Sequence, residues 1–233
     1  MLRLKYVLKK FQISIVVKNQ FSLYNLNMQN FKKLLKDKTI KHYYFMSKDI
    51  DYFATHDLKH ALRVVQTCKK LATKLKLNAN DIENICIAAL LHDTGASNYG
   101  KKNHAERSYH IAKNYTDNEK ILDAILFHSK GHNSDYGYIL TLADKLDICK
   151  NRVTKLGNKQ LGVRQFCFIK SLDFDIKNGV FTVNLKSNKK LDLSELNNYY
   201  FTEKIFNAIK NFADYFHLSY KTYINQNEWC FQK

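Results

Sequence analysis

With 233 residues and 45% hydrophobic side chains, the chain can bury one large core, or one core with a small appendage, and this excludes disorder over most of its length. No apolar run reaches the roughly 18 residues that a bilayer span needs, and Ile13–Val17 is too short even for a signal-peptide core, so no membrane partner is expected. The net charge of +17, from 38 basic and 21 acidic residues, points to anionic partners: phosphorylated small molecules first, and nucleic acid second.

Lysines are scattered along the whole chain and proline is absent, which reads as a biased amino-acid vocabulary rather than a dedicated nucleic-acid arm. Five widely spaced cysteines (Cys68, Cys86, Cys149, Cys167, Cys230) form no CxxC pair. They argue against a disulfide framework or a structural zinc knuckle and fit a reducing, cytoplasmic setting.

Residues 1–45 mix apolar and Lys-rich stretches without a period, and Met28 and Met46 offer alternative starts; this part is expected to be a peripheral extension. Residues 46–160 read as a helical domain. Leu58, Ala61, Leu62, Val65, Cys68, Leu71, Ala72 and Leu75 follow helical spacing, which predicts an amphipathic helix over about 56–76 with His56 and His60 four apart on one face. Asn80 and Glu83 resemble a capping box, starting a second helix at Asp81. That helix is apolar nearly all round, so it belongs at the centre of a bundle, and it delivers His92-Asp93 at its end, where Gly95 offers a stop.

A third helix is expected over about 103–114, with His104 on its apolar side and His110 solvated. A fourth follows Thr116-x-x-Glu119 and carries His128 on the face of Ile121 and Ile125. A fifth, 138–153, places Leu140, Asp144, Asp147 and Ile148 close to one face. Asp144 lies among Leu142, Ala143 and Leu146, and burying its charge costs several kcal/mol unless a cation compensates it.

Residues 161–233 change texture into a small α+β region. Leu172, Phe174 and Ile176 alternate with charged residues, and Asn178-Gly179 turns the chain into Val180–Leu185, a hairpin signal. A long aromatic helix over about 194–217 and a returning strand over 218–224 complete it. The expected fold class is mainly α: a helical bundle with this α+β appendage.

Imidazoles and carboxylates on successive helices are the donor set of hard and borderline divalent metals, in sites that keep positions open for water and a phosphoryl oxygen. The segments Ala88-Ala-Leu-Leu-His-Asp-Thr-Gly95 and Leu142-Ala-Asp-Lys-Leu-Asp147, with His60 upstream, resemble the HD superfamily of metal-dependent phosphohydrolases over roughly residues 50–155. That resemblance implies His60, His92, Asp93 and Asp144 as ligands of a divalent ion that activates hydroxide. It also implies that His104 and His128 complete a second ion site or contact phosphate, with Asp93 bridging. Iron, manganese, magnesium and nickel are not separated by these ligand types.

His56-Asp57-x-x-His60-Ala61 is similar to a stretch of the superfamily's cyclic-nucleotide phosphodiesterases, which implies His56 as general acid alongside the catalytic Asp93. Lys145 and Arg152 are the leading phosphate contacts, with Lys101 and Arg164 as further candidates. His132, His42, His110 and His217 are expected to be surface or structural. His92-Asp-Thr-Gly-Ala-Ser lacks the Glu-Asp of guanosine tetraphosphate hydrolases, and Gly137-Tyr-Ile139 departs from the Gly-Tyr-Pro of the cyclic-di-nucleotide branch.

The resulting expectation is a cytoplasmic phosphohydrolase acting on a phosphoester or phosphoanhydride bond of a nucleotide-like substrate. Release of intact triphosphate is one variant. The competing expectation is a non-catalytic metal-containing module that binds nucleic acid or senses a ligand.

Overall fold

The computed structural model describes residues 28–47, 53–96, 102–130 and 134–231. Lys101, His132 and the first 27 residues lie outside them. The chain is mostly helical, with a small C-terminal sheet.

At the centre is α4 (Ala79–Leu91), packed against α1 (Gln29–Lys36), α3 (Leu58–Lys74), α6 (Glu119–Phe127) and α7 (Asp135–Leu146). Eight of its thirteen residues are buried, as its all-round apolar composition requires. Its start lies two residues before the expected one: Asn78 Oδ1, not Asn80, caps the helix by accepting from the Asp81 amide. Asn118 likewise caps α6 through the Ile121 amide.

The N-terminal expectation is corrected for residues 28–45. Helix α1 and α2 (Lys38–Met46) bury Met28, Phe31, Ile40 and Tyr44 in the core. The Tyr44 hydroxyl donates to the Leu90 carbonyl at 2.6 Å, satisfying one of the C-terminal carbonyls that α4 leaves without a helical partner. Apolar burial outweighed the lack of a clean period, because only Phe31 of α1 and two residues of α2 need to reach inward.

Helix α7 also ends earlier than the periodicity predicts. It stops at Leu146, Asp147 leaves helical geometry at ψ 64°, and Lys150–Arg152 form a short 3-10 turn on the way to the short helix α8 (Val163–Phe166). Arg152 explains the break: its guanidinium donates to the carbonyls of Asp144 and Asp147, which a continuing helix would have used.

The C-terminal region holds a four-stranded sheet in the order β1 (Ile169–Lys177), β2 (Val180–Ser187), β3 (Ser219–Ile224), β4 (Asn227–Glu228). The β1–β2 hairpin turns at Asn178 and Gly179, both at positive φ. β3 runs parallel to β2, in register Val180–Ser219, and β4 is a short strand that sequence patterning did not predict.

The aromatic helix is two helices, α9 (Leu193–Asn197) and α10 (Tyr200–Tyr215), with the Thr202 hydroxyl donating to the Leu196 carbonyl at the break. α10 packs on α7, where Tyr138 and Tyr215 stack at 4.4 Å, and one hydrophobic cluster joins the sheet region to the helical bundle. No helix among the described residues is long and apolar enough to cross a membrane.

Candidate metal centre

Each candidate ligand sits where a helix begins, ends or turns inward. His60 lies in the first turn of α3, whose cap Asp57 accepts the His60 amide at 2.9 Å. His92 closes α4, and Asp93 follows in the turn to the 3-10 segment Thr94–Ala96. That turn is held from two sides, by α2 and by α5 (His104–Ala112), whose first residue is His104. His128 closes α6, and the Thr141 hydroxyl of α7 donates to its carbonyl at 3.0 Å. Asp144 lies in the last turn of α7. All six side chains are buried.

The hydrogen bonds fix which ring nitrogen is bare. His92 Nδ1 lies 2.8 Å from the Ala89 carbonyl and His128 Nδ1 lies 2.7 Å from the Ile125 carbonyl. A carbonyl only accepts, so both Nδ1 atoms carry the proton and both Nε2 atoms present a lone pair. His60 Nδ1 donates to Asp147 Oδ2 at 2.6 Å, with the same result. The Nε2 atoms of His60 and His92 are buried and make no hydrogen bond among the described residues. Two orphaned imidazole nitrogens beside two carboxylates fit a divalent cation, and an imidazole oriented by a carboxylate is how metal-ligating histidines are held.

Distances agree with this assignment. Asp93 Oδ2 stands 3.3 Å from His60 Nε2 and 3.4 Å from His92 Nε2, and Asp144 Oδ1 stands 3.2 Å from His60 Nε2. Donors about 2.1 Å from a shared ion stand roughly 3.0–3.4 Å apart. The other oxygen of Asp93 faces a second group: Oδ1 is 3.3 Å from His104 Nε2 and 3.8 Å from His128 Nε2, and those two nitrogens are 3.0 Å apart. Asp93 therefore has one oxygen in each of two donor sets. His56 stands beside them, its Nδ1 2.6 Å from Asp93 Oδ2.

Electrostatics keep the donors in ligating form. Burial would raise the carboxyl of Asp144, but Lys145, Arg152 and His60 outweigh it and hold it well below the usual carboxylate range. Asp93 is likewise held low against its burial by His92, His56 and His104. Burial pushes His92 and His128 down, and pushes His56 down to about 4 against the pull of Asp93. His60 differs: burial and Arg152 oppose its protonation, yet Asp144, Asp147 and Asp93 hold it at about 9. The carboxylates that would keep a second proton on that ring are the ones that would hold a cation in its place.

The two leading phosphate candidates are occupied with Asp144. Lys145 Nζ is 2.5 Å from Asp144 Oδ2, and Arg152 Nη2 is 3.2 Å from Oδ1, with Arg152 buried. Arg164 is paired with Glu195, and His42, His110 and His217 are exposed.

Two residues that the sequence reading did not assign belong to the site. Asp147 orients His60, and Arg63 holds Asp147 with bonds of 2.7 and 2.9 Å. The signal available was the shared face of Asp144 and Asp147, hidden by the assumption of a continuous helix.

The family model for the HD domain matches residues 57–149, the segment that carries His60, His92, Asp93, His104, His128 and Asp144. Among solved structures, the chain is similar to one described as a predicted HD superfamily hydrolase from an uncultured Thermotogales bacterium. The identity is 26%, with a TM-score of 0.39, over 52% of this chain and 79% of that one. No curated protein matches the chain. With its ligand segments in place on α3, α4 and α7, the helical core at residues 57–149 is an HD domain.

Proposed function

We propose that the protein hydrolyses a phosphoester or phosphoanhydride bond in a nucleotide-like substrate, at a centre of one or two divalent ions. The observation that supports it most is the placement of Asp93, with Oδ2 3.3 Å and 3.4 Å from the Nε2 atoms of His60 and His92 and Oδ1 3.3 Å from His104 Nε2. When bound there, a divalent ion supplies Lewis acidity, making water a nucleophile near neutral pH and drawing charge from the phosphoryl oxygens.

The protein's own groups carry the remaining work. We assign His60, His92, Asp93 and Asp144 to a first ligand set, and His104, His128 and Asp93 to a second, for another ion or for phosphate. Arg152 is buried under bonds to Asp144 and to backbone carbonyls, so we assign it to positioning Asp144. Lys145 is less enclosed, with its side chain 13% exposed, and is the cation we assign to the phosphoryl group. His56 is the group assigned to deliver a proton to the leaving oxygen; with its Nδ1 proton held by Asp93, it does so only after taking up a second proton at Nε2. Five free cysteines support a reducing, cytoplasmic setting.

The test is metal analysis of the purified protein with a screen of phosphomonoesters, phosphodiesters and nucleotides, repeated after chelation and for Asp93→Ala. The reading expects bound metal, activity that chelator abolishes, and loss of both in the variant. Bound metal without turnover of any class would leave a structural or sensing centre. Equal metal and activity in wild type and Asp93→Ala would remove the assignment.

A further inference from the structure

We propose that the cavity beside His56 seats the planar heteroaromatic ring of a nucleotide, a base site built largely from the C-terminal region. The proposal rests on the phosphohydrolase reading only for where the phosphate lies.

The cavity has a volume of about 230 Å³, and its walls include five aromatic side chains: Phe53, Phe166, Tyr199, Tyr200 and Phe201. Four of them come from outside residues 57–149 on the C-terminal side. Their rings are tilted or edge-on to one another, Phe166 lying 6.3 Å from Tyr199 and 6.4 Å from Phe201. They therefore do not form one closed stack. The volume falls below the roughly 300–1,000 Å³ of pockets that enclose a whole ligand, so it suits one ring system whose remainder lies elsewhere.

Where the remainder lies follows from the inner wall. His56 and Arg152 line the cavity, and each is bonded to a carboxylate of the metal centre, His56 to Asp93 and Arg152 to Asp144. Lys145 makes the same link from the other side: its Nζ is 2.5 Å from Asp144 Oδ2 and 5.9 Å from the centroid of the Phe201 ring. A phosphate at Lys145 thus has an aromatic face one side chain away. An aromatic ring gains most from such walls, because bases stack on aromatic side chains through faces that every base shares.

The experiment uses the full chain treated with chelator and four probes without phosphate: adenosine, guanosine, cytidine and uridine. Saturation-transfer NMR reads their binding, with hexyl phosphate as an aliphatic comparison. At least one nucleoside should bind in preference to hexyl phosphate. Ala54→Leu fills the cavity, and Phe201→Ala removes a wall at a partly exposed position; each should weaken binding about tenfold. Circular dichroism melting confirms folding.

Absence of nucleoside binding to wild type, stronger binding of hexyl phosphate, or unchanged affinity in both variants would overturn the proposal. Nucleoside binding without phosphate release from any nucleotide would uphold the base site and remove the phosphohydrolase reading. Nucleotide turnover unaltered by either variant would do the reverse.

Discussion

His60 Nδ1 donates to Asp147 Oδ2 at 2.6 Å across 87 positions of sequence, and this bond sets which nitrogen of His60 faces the metal centre. Arg63 occupies both oxygens of the same carboxylate. Replacing Asp147 with asparagine leaves one acceptor oxygen for the three N–H groups of His60 and Arg63 and turns an amide NH₂ toward one of them. Asp147→Asn should therefore weaken metal binding by about 10–100-fold, the usual cost of losing a carboxylate that orients a ligating histidine. Titration against a competing chelator checks it, and unchanged affinity would show that His60 needs no such support.

That relationship marks the limit of what was legible in the sequence. His60 could be placed because it lies on a helix whose apolar stripe points it inward, and His92-Asp93 because they close a helix that is apolar nearly all round. Asp147 could not, because its role depends on α7 ending at Leu146, and the cause of that ending is the guanidinium of Arg152 returning from beyond the turn. Residues 28–45 were obscured differently: their few inward side chains are diluted by lysines that stay in solvent. The break between α9 and α10 depends on the Leu196 carbonyl finding Thr202, and the parallel pairing of β3 on where α10 returns the chain. Such long-range partners leave no local period.

The two donor sets around Asp93 separate by stoichiometry. His128 is assigned to the second, its Nε2 3.8 Å from Asp93 Oδ1, although it also stands within reach of His92. His128→Ala should lower the metal content from two ions per chain to one, while His60, His92, Asp93 and Asp144 keep theirs. Elemental analysis after equilibrium dialysis decides it. The same ratio in wild type and variant would place no ion at His104 and His128.

Tyr44→Phe tests whether residues 28–46 belong to the core. The substitution removes the buried donor to the Leu90 carbonyl, at the end of α4 that delivers His92. The expected cost is about 1–3 kcal/mol, the penalty of an unsatisfied buried acceptor. It should appear as a lower urea midpoint at constant slope. An unchanged midpoint would mean that α2 contributes little to α4.

Thiol chemistry should discriminate among the cysteines. Burial pushes Cys86 up to about 12 and Cys68 well above its ordinary value, whereas Cys230 is exposed. Because the thiolate is the reactive form, both raised thiols are unreactive at pH 8, and neither Cys86 nor Cys68 is accessible. Iodoacetamide followed by peptide mass mapping should label Cys230 first, and label Cys68 and Cys86 only after denaturation. Rapid native labelling of Cys86 would contradict its placement in α4.

Gly95 is where the sequence allows the second donor set to approach the first. A Cβ at this position would overlap the His104 carbonyl and the Ser108 amide, with the Arg107 Cβ 2.7 Å away. The close approach is also used: the Gly95 amide donates to Ser108 Oγ at 2.9 Å, and Arg107 Nε donates to the Gly95 carbonyl at 2.8 Å. Gly95→Ala must push α5 outward, and His104 is its first residue. Overpacking of this kind costs about 1–3 kcal/mol, and for a chain of this size each kcal/mol lowers Tm by roughly 2–4 °C. The informative part is the pattern of metal loss. The His104–His128 set should weaken more than the His60–His92–Asp144 set, because α5 supplies a ligand only to the former. Equal weakening of both would mean that the strain travels through the Asp93 turn instead of displacing α5.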